Sequence, residues 1–253
     1  MTYPNLPKAP IVEGLIQFQV RQSQGMNVET TKHFADKLVD RYRMAGELRD
    51  FRAQLVVKQH PKDEISAPPQ PIPMRHLGYR LERQDPPFIV HVTVGELLVS
   101  RLKPYPKWED LQSEMEHLWK IYCDVCNPEA VTRVATRFIN QLELPIDNLD
   151  LEDYLTSPPS IPKKLPQSFE EFLTRIVIPH DETGAHIALS LATGIPVPGG
   201  KTLPIMLDID VFKANLDLPV RSDEIWTLLA RMRDIKNESF FGSVTEKGLK
   251  LFL

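Results

Sequence analysis

The sequence has few cysteines, no excess of basic residues and no long apolar stretch. Among 253 residues only Cys123 and Cys126 are cysteines, which excludes a small domain held together by several disulfide bonds. Thirty Lys and Arg residues stand against 34 Asp and Glu residues, a formal net charge of −4, whereas nucleic-acid-binding domains usually carry a basic excess. No stretch contains the roughly 18 apolar residues of a membrane-spanning helix. The sequence therefore favours neither nucleic acid nor a membrane as a partner.

Targeting and nucleotide-binding motifs are absent as well. The first residues do not combine a basic start with the apolar core of a signal peptide, so a cytoplasmic location is expected. The sequence contains no GxGxxG, Walker A, GxSxG or kinase motif. Gly194 and Gly199-Gly200 lie beside prolines, without the following helix that a phosphate site needs. These absences count against an ordinary nucleotide-dependent enzyme, and no cofactor is expected.

Proline, in contrast, is abundant, with 23 prolines against 11 glycines. The prolines cluster at Pro68–Pro73, Pro158–Pro166 and Pro196–Pro198. Because proline fixes φ and lacks a backbone N–H, these clusters predict connections and exclude central strands. The remaining composition, with 42% hydrophobic and 25% charged residues, is typical of a globular protein.

Hydrophobic periodicity predicts an α+β protein. In residues 1–127, alternating apolar residues indicate strands, and apolar residues at helical spacing indicate two helices. Asn27 is expected to cap the first helix, which the pattern extends to Tyr42. The second helix carries the clearest apolar stripe, formed by Trp108, Leu111, Met115, Leu118 and Tyr122. The predicted strands are Ile11–Val20, Phe51–Gln59, Leu77–Arg83, Phe88–Val94 and Glu96–Leu102.

Residues 128–253 repeat this plan with one strand fewer. A short helical segment is predicted at Leu149–Leu155. Ser222 is expected to cap the last long helix. Ser243 is expected to cap a final helical turn, because the residues that follow it have the spacing of a capping box. The predicted strands are Val131–Leu144, Phe172–Pro179, His186–Thr193 and Leu203–Lys213. The expected architecture is two similar lobes, 1–127 and 128–253, each a mostly antiparallel sheet packed with helices. Their element orders are β-α-β-β-β-β-α and β-α-β-β-β-α.

Four segments carry a family resemblance. They are Ala9-Pro10-Ile11-Val12-Glu13, Tyr105-Pro106-Lys107-Trp108, Arg137-Phe138-Ile139-Asn140 and Phe240-Phe241-Gly242-Ser243-Val244-Thr245. In them the chain resembles a sporadically distributed prokaryotic family of uncharacterised proteins of about this length. Gly14 and Phe138 stand where that family often has alanine and tyrosine, and the missing hydroxyl at Phe138 counts against a catalytic role there. The resemblance implies a cytoplasmic bacterial or archaeal protein and no particular activity.

Two pairs of residues have the spacing of metal ligands. Cys123 and Cys126 lack a second cysteine pair to complete a structural zinc site, and they close a helix, where the dipole opposes a thiolate. We interpret them as buried, reduced cysteines. Asp208 and Asp210 point to one face of a strand, where they would hold a divalent cation or act as acid and base. An exposed sheet face produces the same pattern, so a solvated pair is the favoured interpretation.

Glu13, Arg137 and Asn140 form the polar group of greatest interest. We expect Glu13 and Arg137 to lie on neighbouring strands where the two lobes join. They would either bind a ligand or join the lobes. Such a pair would orient the two sheets, or one member would face a ligand. The structural role is favoured, because ion pairs in such positions are more often architectural than catalytic. Asn140 is expected on the opposite face of the strand from Arg137.

Arginines are concentrated near the end of the first predicted helix. They are Arg41, Arg43, Arg49 and Arg52, joined later by Arg75, Arg80 and Arg83. Such runs bind phosphate groups in some proteins. Glu47 and Asp50 interrupt the run, however, and cations at a helix C-terminus are stabilising by themselves. A solvated surface is therefore the favoured interpretation of the run Arg41–Arg52.

Two functions of different classes follow from these observations. The first is a non-enzymatic protein-binding protein that presents a groove or a sheet face. It would act as a regulator, an adaptor or a neutralising partner of an effector encoded nearby, and exposed sheet edges also favour a homodimer. The alternative is a hydrolase or nuclease that depends on a divalent metal ion held by Asp208, Asp210 and a histidine.

Overall fold

The computed structural model describes residues 3–4, 6–50 and 75–253, which form one antiparallel sheet and four α-helices. The helices are α1 (Val28–Asp36), α2 (Trp108–Cys126), α3 (Asp223–Ser243) and α4 (Glu246–Leu249). The strands are β1 (Ile11–Arg21), β2 (Arg43–Arg49), β3 (His76–Arg83), β4 (Phe88–Thr93), β5 (Glu96–Leu102), β6 (Ala130–Pro145), β7 (Leu173–His180), β8 (Ala185–Thr193) and β9 (Thr202–Lys213). The predicted α+β class and the antiparallel pairing are confirmed.

All nine strands belong to a single sheet, in the order β2-β3-β4-β5-β1-β6-β9-β8-β7. The first strand of each half, β1 or β6, pairs with the last strand of the same half, β5 or β9. The other strands of each half then follow outwards in reverse order. Because β1 and β6 also pair with each other, the strands of both halves form one continuous sheet.

The helices pack on the face of the sheet that contains the side chain of Phe18. This ring is fully buried and makes edge contacts with Trp119 of α2 and Trp226 of α3, at centroid distances of 5.1 and 5.4 Å. Helix α1 packs against α2, where the rings of Phe34 and Tyr122 meet at 6.0 Å. The alternation of buried and partly exposed residues along β1 follows from this one-sided packing.

The first helix is shorter than its apolar pattern predicts. Asn27 caps it as expected, since its side chain accepts a hydrogen bond from the Thr30 N–H. The prediction that the helix continues to Tyr42 is wrong: α1 ends at Asp36, and Arg43 already begins β2, which pairs with β3. Tertiary pairing with β3 outweighs the local helical spacing there. The strand predicted at Phe51–Gln59 lies outside the described residues.

In the second half, the start of the last long helix agrees with the prediction and the final cap does not. Ser222 caps α3, and its side chain accepts from the Glu224 N–H. Ser243 is the last residue of α3, so the predicted cap there is wrong; Thr245 caps α4 instead. The predicted segment Leu149–Leu155 contains only a single 3-10 turn, Leu151–Asp153. None of the helices in the described ranges is long and apolar enough to span a membrane.

Candidate functional site

The face of the sheet opposite the helices carries a row of charged side chains at its centre. We call this face the open face; it contains the side chains of Gln17, Arg133 and Arg137, which alternate along β1 and β6 with the buried residues. Asp208 and Asp210 of β9 extend the row, because β9 pairs with β6 on its other side. These four residues, Arg133, Arg137, Asp208 and Asp210, form the arginine–aspartate cluster.

Each arginine of the cluster reaches diagonally to an aspartate of β9. Arg137 lies directly opposite Asp210 but binds Asp208, with Nε–Oδ1 and Nη2–Oδ2 distances of 2.8 and 2.5 Å. Arg133 contacts Asp210 at 3.5 Å, donates to the side chain of Gln17, and stacks over the ring of Phe212 at 4.7 Å. Charge-assisted bonds of this bidentate kind fix geometry as well as charge.

The positive and negative charges of the arginine–aspartate cluster compensate one another. Partial burial raises the pKa of the Asp210 carboxyl, while the nearby guanidinium groups of Arg133 and Arg137 oppose that shift. The hydrogen bonds to Asp208 raise the pKa of Arg137. Two cations and two carboxylates therefore neutralise each other, and the cluster presents no net charge to a ligand.

The sequence placed Glu13 and Arg137 on neighbouring strands, and the structure puts them on β1 and β6 at the centre of the sheet. The guanidinium group of Arg137 donates its hydrogen bonds to Asp208, and among the described residues no ion pair joins Arg137 to Glu13. Asn140 lies on the helix side, where it is buried and donates to the carbonyl of Leu207 at 3.1 Å. These three residues therefore do not form one site.

Asp208 and Asp210 share a face of β9, as their spacing predicts, but both carboxylates are engaged by arginines. His186 on β8 stacks against Phe212 at 5.4 Å. Within the described ranges, no group of three or more His, Cys, Asp or Glu side chains is arranged to hold a metal ion. Two carboxylates already neutralised by guanidinium groups do not fit the needs of a divalent cation.

The two cysteines are free and buried in α2, in agreement with their interpretation as core residues. The Sγ atom of Cys126 lies 3.8 Å from the carbonyl oxygen of Thr30, and that of Cys123 lies 3.9 Å from the carbonyl oxygen of Val220. Burial raises the pKa of each thiol to about 12. Both side chains therefore stay protonated at neutral pH and are poor nucleophiles.

The basic run is not placed at a helix end, because Arg43 and Arg49 belong to strand β2. Five of these arginines are paired with carboxylates: Arg41 and Arg83 with Glu114, Arg43 and Arg80 with Glu82, and Arg49 with Glu47. Arg52 lies outside the described residues. Glu114 is buried and also accepts from the hydroxyl of Tyr42 at 2.8 Å. The run is thus tied into the fold, which disfavours a phosphate-binding surface.

The last strand of the sheet, β7, exposes apolar side chains on both faces. Leu173 is 74% exposed, Ile176 52%, Val177 45% and Ile178 41%. Only β8 pairs with this strand among the described residues, so its other side is an open edge. Sequence analysis predicted the strand but not its position at the edge, since no local pattern reports strand order.

Backbone hydrogen bonds show which groups of β7 point outwards. The carbonyls of Phe172 and His180 accept from Thr193 and Gly184 of the β8 side, at 3.2 and 2.8 Å. Main-chain groups alternate in direction along a strand. The N–H and C=O groups of Leu173, Arg175 and Val177 therefore point away from β8. The backbone of Pro179 also points away from β8. An edge strand tolerates proline at such a position, because the missing N–H would not have paired with the neighbouring strand.

A cavity of about 1080 Å³ lies on the helix side of the sheet, and of the predicted site residues only Asn140 is among those that line it. Three segments enclose it: residues 3–4 and 6–11, the β5–α2 connection with the first residues of α2 (103–109), and the C-terminal half of α3. Together with Asn140 of β6, these segments include parts of all four stretches that carry the family resemblance.

Two polar side chains of this cavity were missed by the sequence analysis. Lys236 of α3 places its Nζ 4.0 Å above the ring centroid of Phe138. Tyr105 packs edge-on against the same ring at 5.4 Å, and its hydroxyl is buried without a hydrogen-bond partner in the described structure. Burial, with a smaller contribution from Arg233, lowers the pKa of Lys236 to about 7. In the sequence, Lys236 shows only as one charged residue of a helix.

The described residues thus offer three features with functional potential: the neutralised arginine–aspartate cluster, the open apolar edge at β7 and the cavity at Lys236. No family model matches the chain, and no curated protein matches it either. The function is therefore inferred from these features alone.

Proposed function

We propose that the protein is a non-enzymatic binding protein, an adaptor or neutralising partner, that receives an extended strand of another protein along β7. The observation that carries this proposal is the pair of properties found together on β7. Its backbone groups at Leu173, Arg175 and Val177 point outwards, and its apolar side chains are exposed on both faces. Strand addition uses these two properties, because main-chain bonds give affinity and alternate side-chain pockets give specificity.

The opposite edge of the same sheet supports the proposal by contrast. Strand β2 carries Arg43, Glu47 and Arg49 in a seven-residue strand, and its pairing with β3 is irregular at two places. Charges and bulges are the usual protection of an edge against unwanted pairing. Strand β7 has an unbroken register with β8 over eight residues and one arginine, Arg175, among apolar neighbours. An edge left open in this way, while the other is protected, indicates an interface.

A protein strand fits β7 better than a nucleic acid does. Phosphate contacts depend on clustered cations, whereas most β7 side chains are apolar and exposed. An exposed apolar patch on a folded chain marks a protein interface more often than a chance exposure. The partner strand is expected to present apolar residues to both sides of β7.

We further propose that the halves 1–127 and 128–253 are two similar lobes joined along β1 and β6. The shared strand order within each half supports this division. In this arrangement β2 closes the first lobe and β7 ends the second, so the lobes differ in which edge accepts a partner.

The experiment compares two substitutions at one outward position. Val177→Pro removes an outward N–H and leaves the pairing with β8 intact, since edge strands accept proline with this orientation. Val177→Thr keeps the N–H and the β-branched shape. Tagged wild-type protein and both variants are purified gently from the native cell, and circular dichroism verifies that each variant is folded.

The proposal predicts that Val177→Pro loses the co-purifying protein and Val177→Thr retains it. Retention of the same partner by Val177→Pro would contradict strand addition at β7. Light scattering adds the oligomeric state: a dimer of the wild type that becomes a monomer in Val177→Pro would identify the partner as a second copy of this chain. Loss of the partner from both variants would indicate that the Val177 side chain makes the contact. The proposal that the outward backbone groups bind the partner would then be wrong.

A further inference from the structure

The cavity between residues 3–4 and 6–11, the β5–α2 connection and α3 combines a partly enclosed amine with an unpaired hydroxyl. Lys236 donates to the side chain of Asn237 at 2.5 Å, and within the described structure no carboxylate lies within ion-pair distance of its Nζ. The Tyr105 hydroxyl has no partner although it is buried. A buried donor without an acceptor is costly, so the Tyr105 hydroxyl is suited to an acceptor that enters from outside. The ammonium group of Lys236 has three donors, so its bond to Asn237 leaves donors for the same acceptor.

The charges around the cavity favour an anion. The N-terminal segment supplies Tyr3 and Lys8, and α3 supplies Arg233 and Asp234. The β5–α2 connection and the start of α2 supply Lys103, Tyr105, Lys107 and Glu109. Glu109 is already bound by Arg233 at 3.0 Å. Lys107 is paired with Asp110 at 3.4 Å. Among the lining residues this leaves Lys8, Lys103 and Lys236 without a carboxylate side chain as partner, against the single carboxylate of Asp234.

The rest of the lining is apolar and aromatic. Trp108 and Phe240 are both buried at 6–7% exposure, and the rings of Tyr3 and Phe241 stack at 4.5 Å. Proline side chains of the first residues and of the β5–α2 connection complete the wall. Small-molecule sites have this composition, with a mostly apolar lining and a few polar groups that fix orientation.

We propose that this cavity is a binding site for a small organic carboxylate with an apolar body, whose carboxylate is held by Lys236 and the Tyr105 hydroxyl. The apolar body packs among Trp108, Phe240 and the prolines. Lys236 takes up a proton when the anion binds, since the pKa of its free amine is about 7 and an adjacent negative charge favours the ammonium form. This site lies on the helix side of the sheet, away from β7, and does not depend on the partner proposed above.

The test uses phenylacetate as the probe and isothermal titration calorimetry as the measurement. Its neutral analogue, 2-phenylethanol, has the same ring without the charge, and inorganic phosphate has the charge without the ring. Binding is measured for the wild type, Lys236→Met, Lys236→Arg and Tyr105→Phe. Lys103→Met is the matched control, because Lys103 lines the same cavity and is exposed.

The proposal predicts saturable binding of phenylacetate to the wild type and to Lys103→Met. Lys236→Met is expected to bind at least about tenfold more weakly, and Tyr105→Phe several-fold more weakly, since a charged hydrogen bond and a neutral one are lost. Between pH 6.5 and 9 the wild-type affinity falls by about tenfold or more, whereas Lys236→Arg, which stays charged, changes little.

Three results would overturn the proposal. One is equal binding of phenylacetate by the wild type and Lys236→Met, with both folded. Another is equal affinity for 2-phenylethanol, which would make the cavity an apolar site without anion recognition. The third is binding of phosphate alone, which would replace the organic carboxylate by a simple anion. Tyr105→Phe keeps the test valid if Lys236→Met fails to fold.

Discussion

Arg137 and Asp208 face each other diagonally across β6 and β9, and two hydrogen bonds of 2.8 and 2.5 Å join guanidinium and carboxylate. Their side chains are 43% and 22% exposed, so water still reaches the pair. The neighbouring pair of Arg133 and Asp210 is also diagonal, with a longer reach along β9 and a separation of 3.5 Å. Since β6 belongs to the central pair of strands, these contacts add side-chain bonds to the backbone pairing of β6 with β9.

A double-mutant cycle on Arg137→Gln and Asp208→Asn should give a coupling energy of about 1 kcal/mol in urea unfolding, because the pair is bidentate and only partly exposed. The matched control is the pair of Arg43 and Glu82 at the protected edge, where Arg43 is 70% exposed. That cycle should give under about 0.5 kcal/mol. Equal coupling in the two pairs would show that the bidentate geometry adds nothing.

Glu114→Gln should destabilise the protein by about 2–4 kcal/mol, because it removes the buried negative charge that neutralises Arg83, which is 13% exposed, and the more exposed Arg41. Glu114 accepts from Arg41 at 2.9 Å, from Arg83 at 3.2 Å and from the Tyr42 hydroxyl. Glu116→Gln on the same helix is the control, since its carboxylate accepts only from the amide of Gln112 among the recorded contacts. Thermal and urea unfolding measure both variants. A loss no larger than that of the control would contradict the buried network.

Gly14→Ala should destabilise the protein by about 1–3 kcal/mol through overpacking. A Cβ atom at Gly14 would lie 2.7 Å from the ring of Phe138 and 2.8 Å from that of Tyr105. Gly242→Ala is the control, because a Cβ there meets nothing within 4 Å and alanine favours the helix. Urea unfolding is expected to show opposite signs for the two variants. Stabilisation by Gly14→Ala would mean that the two rings have room to move.

Lys236 should make the free energy of unfolding rise with pH above about 7. Its pKa is about 7 in the folded protein and 10.5 when unperturbed, so between these values the unfolded chain holds the extra proton. The slope approaches at most about 1.4 kcal/mol per pH unit. The difference between wild type and Lys236→Met, measured by urea unfolding from pH 6 to 10, isolates this contribution, with Lys103→Met as control. Parallel curves for wild type and Lys236→Met would contradict the lowered pKa.

Much of the fold could be predicted from local patterns. The strands β1, β6, β8 and β9 and the helix α2 carry clear alternation or helical spacing, and the structure places them within one or two residues of the predicted limits. The N-caps at Asn27 and Ser222 depend only on side chains near in sequence, and both were predicted. Tyr42 was misplaced because a long-range pairing, β2 with β3, decided that segment.

The site was harder to predict for the same physical reason. The arginine partners of Asp208 and Asp210 come from β6, 71 and 77 residues away in sequence, and no spacing within β9 reveals them. The open edge at β7 depends on the order of strands, and the pKa of Lys236 depends on burial among three distant segments. Such properties arise from tertiary contacts, which single-sequence patterns do not encode.

The most direct test of the account is amide hydrogen exchange along β7, measured by NMR in the isolated protein and in its complex with the co-purifying protein. In the dilute isolated chain, the amides of Leu173, Arg175 and Val177 should exchange fast and those of Thr174, Ile176 and Ile178 slowly, since only the latter point to β8. In the complex, the three fast amides should become protected. Unchanged exchange at these amides, with protection arising elsewhere on the sheet, would contradict strand addition at β7.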